Sequence, residues 1–194
     1  MSGVYWYAGI SQSGKTTLAL AHVARDIESS GRAALIVDPA CASNLRGEYH
    51  AESVRETIDR VWGRDVSTAY TPSGIEDFDS LMRAAHAGRD RTVLIDEAFY
   101  FCSGRAISKD LSRVLRTHAH GRNTYRLTTQ HIGDIASEAL AATTEVYLFA
   151  SVSESALDRI RERGWADPEA VRALSQGEYF THRVGFAGAS AVKL

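Results

Sequence analysis

The sequence predicts an α/β fold, a three-layer sandwich in which helices pack on both faces of a central, mostly parallel sheet. Three observations predict it. Short, continuous apolar runs recur along the chain, as in strands buried on both faces. Segments with apolar residues at helical spacing lie between them. A glycine-rich phosphate-loop sequence joins the first strand to the first helix. No internal repeat, low-complexity tract or linker interrupts this pattern, and 194 residues suit a single domain, 1–194, with ample length to bury a sheet.

The first strand is Val4-Tyr5-Trp6-Tyr7-Ala8. Gly9-Ile10-Ser11-Gln12-Ser13-Gly14-Lys15-Thr16 follows, a full match to G-x-x-x-x-G-K-[ST], and the helix-favouring run from Thr17 to Ala24 comes next. Strand, turn and helix together aim backbone N–H groups and a helix N-terminus at one point, which is an anion site for nucleotide phosphates. Gly9 and Gly14 let the chain turn closely around them. Ser11, Gln12, Ser13 and Thr17 complete the cradle, Lys15 reaches the β- and γ-phosphates, and the Thr16 hydroxyl is the Mg²⁺ ligand. The expected ligands are ATP and Mg²⁺.

Ala33 to Val37, ending at Asp38-Pro39, reads as a buried parallel strand. A short helix is expected over Val54 to Trp62, and a strand over Val66 to Tyr70, stopped by Thr71-Pro72. Ile75, Phe78, Leu81, Met82 and Ala85 recur at helical spacing after Ser73-Gly74. Thr92 to Ile95 is a second buried strand, and Leu111, Val114 and Leu115 stripe a further helix. Tyr125 to Thr129 reads as a strand, Ile132 to Leu140 as one helix, and Glu145 to Phe149 as another strand. Ala156 to Arg163 forms a charged amphipathic helix, and Pro168 stands near the start of one running through Leu174. After Gly177, Tyr179 to Val184 and Ala189 to Leu194 form a C-terminal β-hairpin. Ligands of such a sheet bind beyond the carboxyl ends of its strands.

Composition bounds the chemistry. Hydrophobic content of 44% and charged content of 24% are ordinary for a globular protein. The net charge of −2 does not fit a protein that grips DNA over its whole surface, but it permits basic residues confined to a pore loop. No apolar run is long enough to span a membrane, and no basic segment followed by an apolar block marks a secretory leader, so an intracellular location is expected. Cys41 and Cys102 lack C-x-x-C spacing, which excludes a disulfide framework or a zinc site built on them.

Thr92-Val93-Leu94-Ile95-Asp96-Glu97 has the form of a Walker B element. Asp96 is the second metal ligand, direct or through water, and Glu97 orients and deprotonates the attacking water. Adjacent residues at a strand end point to opposite sides, which suits two roles. On the strand Leu127-Thr128-Thr129-Gln130-His131, a change from apolar to polar marks a γ-phosphate sensor; Gln130 is the first candidate and Thr129 the second.

These elements, with Asp96-Glu97-Ala98, an arginine-bearing helix and H-G-R-N-x-x-R-L-T-T-Q-H-I-G-D-I from His120, resemble the HerA/FtsK superfamily of DNA-pumping ATPases. Leu174-Ser175-Gln176-Gly177-Glu178-Tyr179 is similar to the late strand entry of that group, and the compact chain is most similar to the genome-packaging ATPases of tailless, internal-membrane icosahedral viruses. The resemblance spans residues 4–184 and implies the RecA/ASCE arrangement, with an extra strand between the two Walker strands. It also implies a homo-oligomeric ring, hexameric or pentameric, with ATP between subunits, and an arginine from the neighbour on the γ-phosphate. Arg122 is the leading candidate, Arg116 and Arg113 are alternatives, and Arg126 comes after them. Double-stranded DNA would be held through its phosphates by pore loops. Phe99 to Lys109 is a candidate loop with Arg105 and Lys109 as contacts, although its aromatics suit the core or a subunit interface somewhat better. Capsid or membrane-vertex proteins are the remaining expected partners, in the host cytoplasm or at the packaging vertex.

Two rivals stand beside this reading. A thymidine-kinase-like phosphotransferase shares a phosphate loop and an acid-acid-alanine followed by aromatics, but carries a cysteine-rich zinc lobe and gives the Thr-Thr-Gln strand no role. ATPases for phage assembly or secretion lie near the same superfamily but usually carry a transmembrane helix.

Overall fold

The computed structural model describes residues 2–39, 49–104, 106–185 and 189–193. In chain order the elements are β1 (Gly3–Ala8), α1 (Lys15–Ser30), β2 (Ala34–Val37), β3 (Tyr49–His50), α2 (Val54–Ile58), β4 (Thr68–Tyr70), α3 (Ile75–Ala87) and β5 (Thr92–Ile95). They continue with α4 (Phe99–Cys102), β6 (Ala106–Ile107), α5 (Lys109–Gly121), β7 (Thr124–Thr129), α6 (Ser137–Ala141), β8 (Glu145–Phe149), α7 (Glu154–Arg163), α8 (Pro168–Arg172), β9 (Glu178–Arg183) and β10 (Ser190–Lys193).

Nine strands form one sheet in the order β10-β9-β8-β1-β7-β5-β2-β4-β3. From β8 to β3 all neighbours are parallel, and β9 and β10 add an antiparallel wing that includes the expected C-terminal hairpin. The sensor strand β7 lies between the phosphate-loop strand β1 and the acid-bearing strand β5, with Ala8 level with Thr129 and Ile95 level with Leu127. That is the extra-strand arrangement the sequence led us to expect.

Helix α1 packs on one face of the sheet through Leu18, Ala19 and Val23 against Tyr7, Ile36 and Leu94. The other face carries Phe78, Leu81 and Met82 of α3, Leu111, Val114 and Leu115 of α5, Ala139 and Leu140 of α6, Leu157 and Ile160 of α7, and Val171 of α8. Strand residues alternate between these cores: Leu35, Val37, Val93, Ile95 and Leu127 face α3 and α5, and Ile36 and Leu94 face α1. Three layers follow directly from that alternation.

Several boundaries differ from the sequence reading, each for a local reason. Helix α1 begins at Lys15 and continues past Ala24 until Gly31, whose left-handed backbone (φ 65°) caps it by an N–H bond to the Ile27 carbonyl. The single helix expected over Ile132 to Leu140 is instead a 3₁₀ turn, Ile132–Asp134, followed by α6. Extended Ile135 breaks it by bridging to Ser103, and the Ala136 N–H bonds the Cys102 carbonyl. Helix α2 passes into a π-helical turn, Asp59–Gly63, and β3 is too short to leave a periodic signal. The last expected helix ends at Arg172, not Leu174, and the strand expected from Val66 starts at Thr68. Among the described residues no helix is long and apolar enough to cross a membrane.

Candidate nucleotide site

The phosphate loop leaves β1 between the ends of two neighbours. The Gly9 N–H bonds the Thr129 carbonyl of β7 at 3.2 Å, and the Ile10 N–H bonds Ala150 just after β8 at 2.9 Å. A Cβ on Gly9 would stand 2.6 Å from Phe149 Cβ, so only glycine lets the loop enter at this angle. Gly14, at φ 105°, turns the chain into α1. Lys15 is buried, with its Nζ on the Ile10 carbonyl at 2.9 Å, folded back across the loop it serves. Burial pulls its ammonium below the ordinary lysine range, and the charges of Glu97 and Asp96 act in the opposite sense. Those two acids and Lys15 therefore share one electrostatic site. Ser13 is 4% exposed, and its hydroxyl has no hydrogen-bond partner among the described residues.

The metal side of the site is equally defined. Thr16 Oγ1, in the first turn of α1, donates to Asp96 Oδ1 at 3.1 Å. Thr128 Oγ1, on β7, donates to the same oxygen at 2.5 Å. Burial raises the Asp96 carboxyl above its ordinary range; the two hydroxyls lower it, and the charges of Asp38 and Glu97 raise it again. A hydroxyl and a buried carboxylate in contact are hard oxygen donors of the kind Mg²⁺ takes beside nucleotide phosphates, so these residues fit the ion. Among the described residues no group of three or more His, Cys, Asp or Glu is placed to hold a metal by itself.

Glu97 is held from both ends. Its backbone is left-handed (φ 44°), unusual for a non-glycine residue, and its N–H donates to Thr128 Oγ1 at 3.0 Å. Its carboxylate receives Gln130 Nε2 at 2.8 Å and the Gln130 N–H at 3.2 Å. Sensor candidate and candidate base are thus one hydrogen-bonded unit. Thr129, the second sensor candidate, follows Leu127 toward the α5 side of the sheet, and its hydroxyl accepts the His131 N–H at 3.0 Å. It closes the turn rather than facing the loop. The residue that sequence reasoning passed over is Thr128, fully buried, which donates to the Asp96 carboxylate and accepts the Glu97 backbone N–H; no motif marks it, because only the pairing of β7 with β5 brings it to these two residues.

Gln12 (φ 59°), Ser11, Ser13 and Ile10 line a groove with Ala150, Leu174 and Gln176. Gln176 Nε2 bonds the Gln12 carbonyl at 3.2 Å and the Gly177 N–H bonds the Ser13 carbonyl at 3.3 Å, so the turn before β9 braces the loop. Thr17, next along α1, is exposed.

The arginines lie elsewhere. Arg122 caps α5 in the left-handed region (φ 55°) and pairs with Asp90 at 2.6 Å. It precedes β7, at the opposite end of the sheet from the phosphate loop, more than about 20 Å away at strand rise. Arg116 is exposed on α5 and pairs with Glu138 at 3.1 Å, and Arg113 pairs with Asp110 at 3.6 Å. Arg126 is buried in the α1 layer, held by both Asp26 oxygens at 2.8 and 2.9 Å and donating to Tyr7 Oη at 2.6 Å; this is a packing role. Of the expected DNA segment, Phe101 is buried and stacks on Phe78, Tyr100 is exposed, and Lys109 starts α5 with its surface open. Arg105 lies outside the described residues.

No family model and no curated protein matches the sequence. Solved structures do match the fold. The genome packaging NTPase B204 from Sulfolobus turreted icosahedral virus 2, in complex with sulfate, superposes with a TM-score of 0.84 at 18% identity, covering 99% of this chain and 96% of that one. The same NTPase in complex with ATP-γS gives 0.81 at 17% identity, over 99% and 97%. A bacterial conjugative coupling protein, TrwBdeltaN70, gives 0.72 at 9% identity, over 99% and 84%. The chain has the P-loop NTPase fold of these proteins, in agreement with the likeness read from its motifs.

Proposed function

We propose that the chain is an ATP-hydrolysing motor that moves double-stranded DNA into a preformed viral capsid. The observation that carries this reading is the convergence of Lys15, Thr16, Asp96, Glu97 and Gln130 at the carboxyl ends of three adjacent strands. The likeness along nearly the whole chain to a genome packaging NTPase supports the choice of cargo.

The loop amides and Lys15 bind the triphosphate, and Thr16 and Asp96 hold Mg²⁺, which when bound neutralises charge developing on the phosphate oxygens. Glu97 accepts the proton of the water that attacks the γ-phosphorus, and Gln130 fixes the carboxylate that does so. Hydrolysis rather than transfer to a nucleoside fits a Glu97–Gln130 unit, which gives the Thr-Thr-Gln strand the role a kinase leaves it without. An arginine of a neighbouring subunit, with Arg122 first and Arg116 and Arg113 behind it, completes the site in a hexameric or pentameric ring. Lys109 and Arg105 hold DNA phosphates at the pore, and the ring works at a capsid or membrane vertex.

The test is phosphate release with duplex DNA and, separately, with thymidine, paired with negative-stain imaging in ATPγS. DNA-stimulated release from closed rings supports the motor; phosphoryl transfer to thymidine by a non-ring dimer would replace it with the kinase.

A further inference from the structure

Two consecutive carbonyls of the phosphate loop are held from outside the loop. Gln176 Nε2 donates to the Gln12 carbonyl at 3.2 Å, and the Gly177 N–H donates to the Ser13 carbonyl at 3.3 Å. In a trans peptide the N–H points opposite to the C=O of the same unit, and these units are trans. The Gln12 carbonyl shares its unit with the Ser13 N–H, and the Ser13 carbonyl shares its unit with the Gly14 N–H. Both N–H groups are therefore turned away from Gln176 and Gly177. Among the described residues neither bonds a backbone carbonyl.

The loop does not keep this shape by local preference. Gln12 is left-handed at φ 59°, a conformation that a non-glycine residue retains only where its surroundings hold it. Gly14 lies at φ 105°. Left-handed residues alternating with ordinary ones turn successive N–H groups to one concave side, which is an anion-binding nest. The bracing turn between α8 and β9 is closed on itself. The Ser175 N–H bonds Glu178 Oε2 at 3.0 Å, and the Glu178 N–H bonds the Ser175 carbonyl at 3.1 Å. Gly177, at φ 81°, completes the bend that presents Gln176 to the loop.

We propose that Gln176 is a positioning residue for the phosphate chain: with Gly177 it holds the Gln12 and Ser13 peptides so that the Ser13 and Gly14 N–H groups are preset as phosphate donors before nucleotide arrives. This rests on the ATP reading above. Gln176 acts through the peptides of the loop and touches no phosphate itself. Donors already in place need no ordering of the loop on binding, which tightens it.

The experiment compares the wild type with Gln176→Met, which keeps the length of the side chain and removes its amide. Each is titrated calorimetrically with ATPγS and with inorganic tripolyphosphate, both in EDTA. Affinity for the two ligands falls by the same factor, roughly three- to tenfold, the worth of one neutral hydrogen bond, while the melting temperature stays close to that of the wild type. Unchanged affinity for both overturns the proposal and leaves the nucleotide site standing. A loss confined to ATPγS also overturns it, because Gln176 then touches the nucleoside and not the loop. A wild type that binds neither ligand overturns the ATP reading as well. A second measurement needs no variant: hydrogen exchange of the wild type, followed at single amides. Gly177 exchanges slowly without ligand, and bound ATPγS slows Ser13 and Gly14. Exchange of Gly177 at the rate of an unfolded chain, or Ser13 and Gly14 amides indifferent to bound ATPγS, overturns the proposal.

Discussion

At the scale of single residues, Thr128 carries more than its place in the sequence signals. One hydroxyl donates to Asp96 and accepts the Glu97 N–H, so it positions the proposed metal ligand and the proposed base together. Replacing it with isosteric valine leaves a buried N–H and a buried carboxylate each short of a partner. The expected cost is about 1–3 kcal/mol in urea unfolding, with turnover falling more than about tenfold and ATPγS affinity in EDTA unchanged. Unchanged turnover would show that Asp96 and Glu97 need no such holder. Lys15, Thr16, Asp96, Glu97 and Gln130 were legible because phosphate chemistry demands those side chains at that spacing. Thr128 was not, since a threonine on a β-strand is ordinary and only the register of β5 against β7 gives it a task.

At the scale of elements, the docking of α1 on the sheet is unusually polar. Arg126 on β7 donates to Tyr7 Oη on β1 at 2.6 Å, and the same Tyr7 hydroxyl shares a hydrogen bond with His22 Nδ1 on α1 at 2.7 Å. Asp26, one turn further along α1, closes the chain back to Arg126. Burial first, then the charges of Arg126 and Arg25, pull His22 down to about 4 from its ordinary 6.5. The folded state therefore binds fewer protons than the unfolded chain, and stability is lost as pH falls from about 6.5 toward 4. His22→Gln should flatten the fall in melting temperature over that range; an identical slope would place the pH sensitivity elsewhere. Most of the strands and the long helices α3 and α5 were legible from apolar runs and helical spacing. The break between Asp134 and Ser137 was not, because the bonds that cause it come from Ser103 and Cys102, more than thirty residues away in the chain.

At the scale of the whole molecule, the phosphate loop and the proposed metal ligands and base lie together at the carboxyl ends of adjacent strands, whereas Arg122, the first candidate for the arginine finger, does not lie among them. Arg122 sits at the opposite end of β7, so the finger role proposed for it requires a neighbouring subunit's site rather than its own. Arg122→Ala should then lose about 10³-fold or more in turnover, and mixing it with Lys15→Ala subunits should restore part of the rate. Full activity of Arg122→Ala alone would pass the role to Arg116 or Arg113. Fold class, strand order around β1 and the acids brought together here followed from the sequence, whereas the proposed arginine finger needs a second subunit that no single chain displays. The most direct test of the account is release of inorganic phosphate with duplex DNA, compared between the wild type and Glu97→Gln. The account predicts steady release by the wild type and a loss of about 100-fold or more in the variant, with ATPγS affinity retained. Equal release by the two, or none by the wild type, would contradict it.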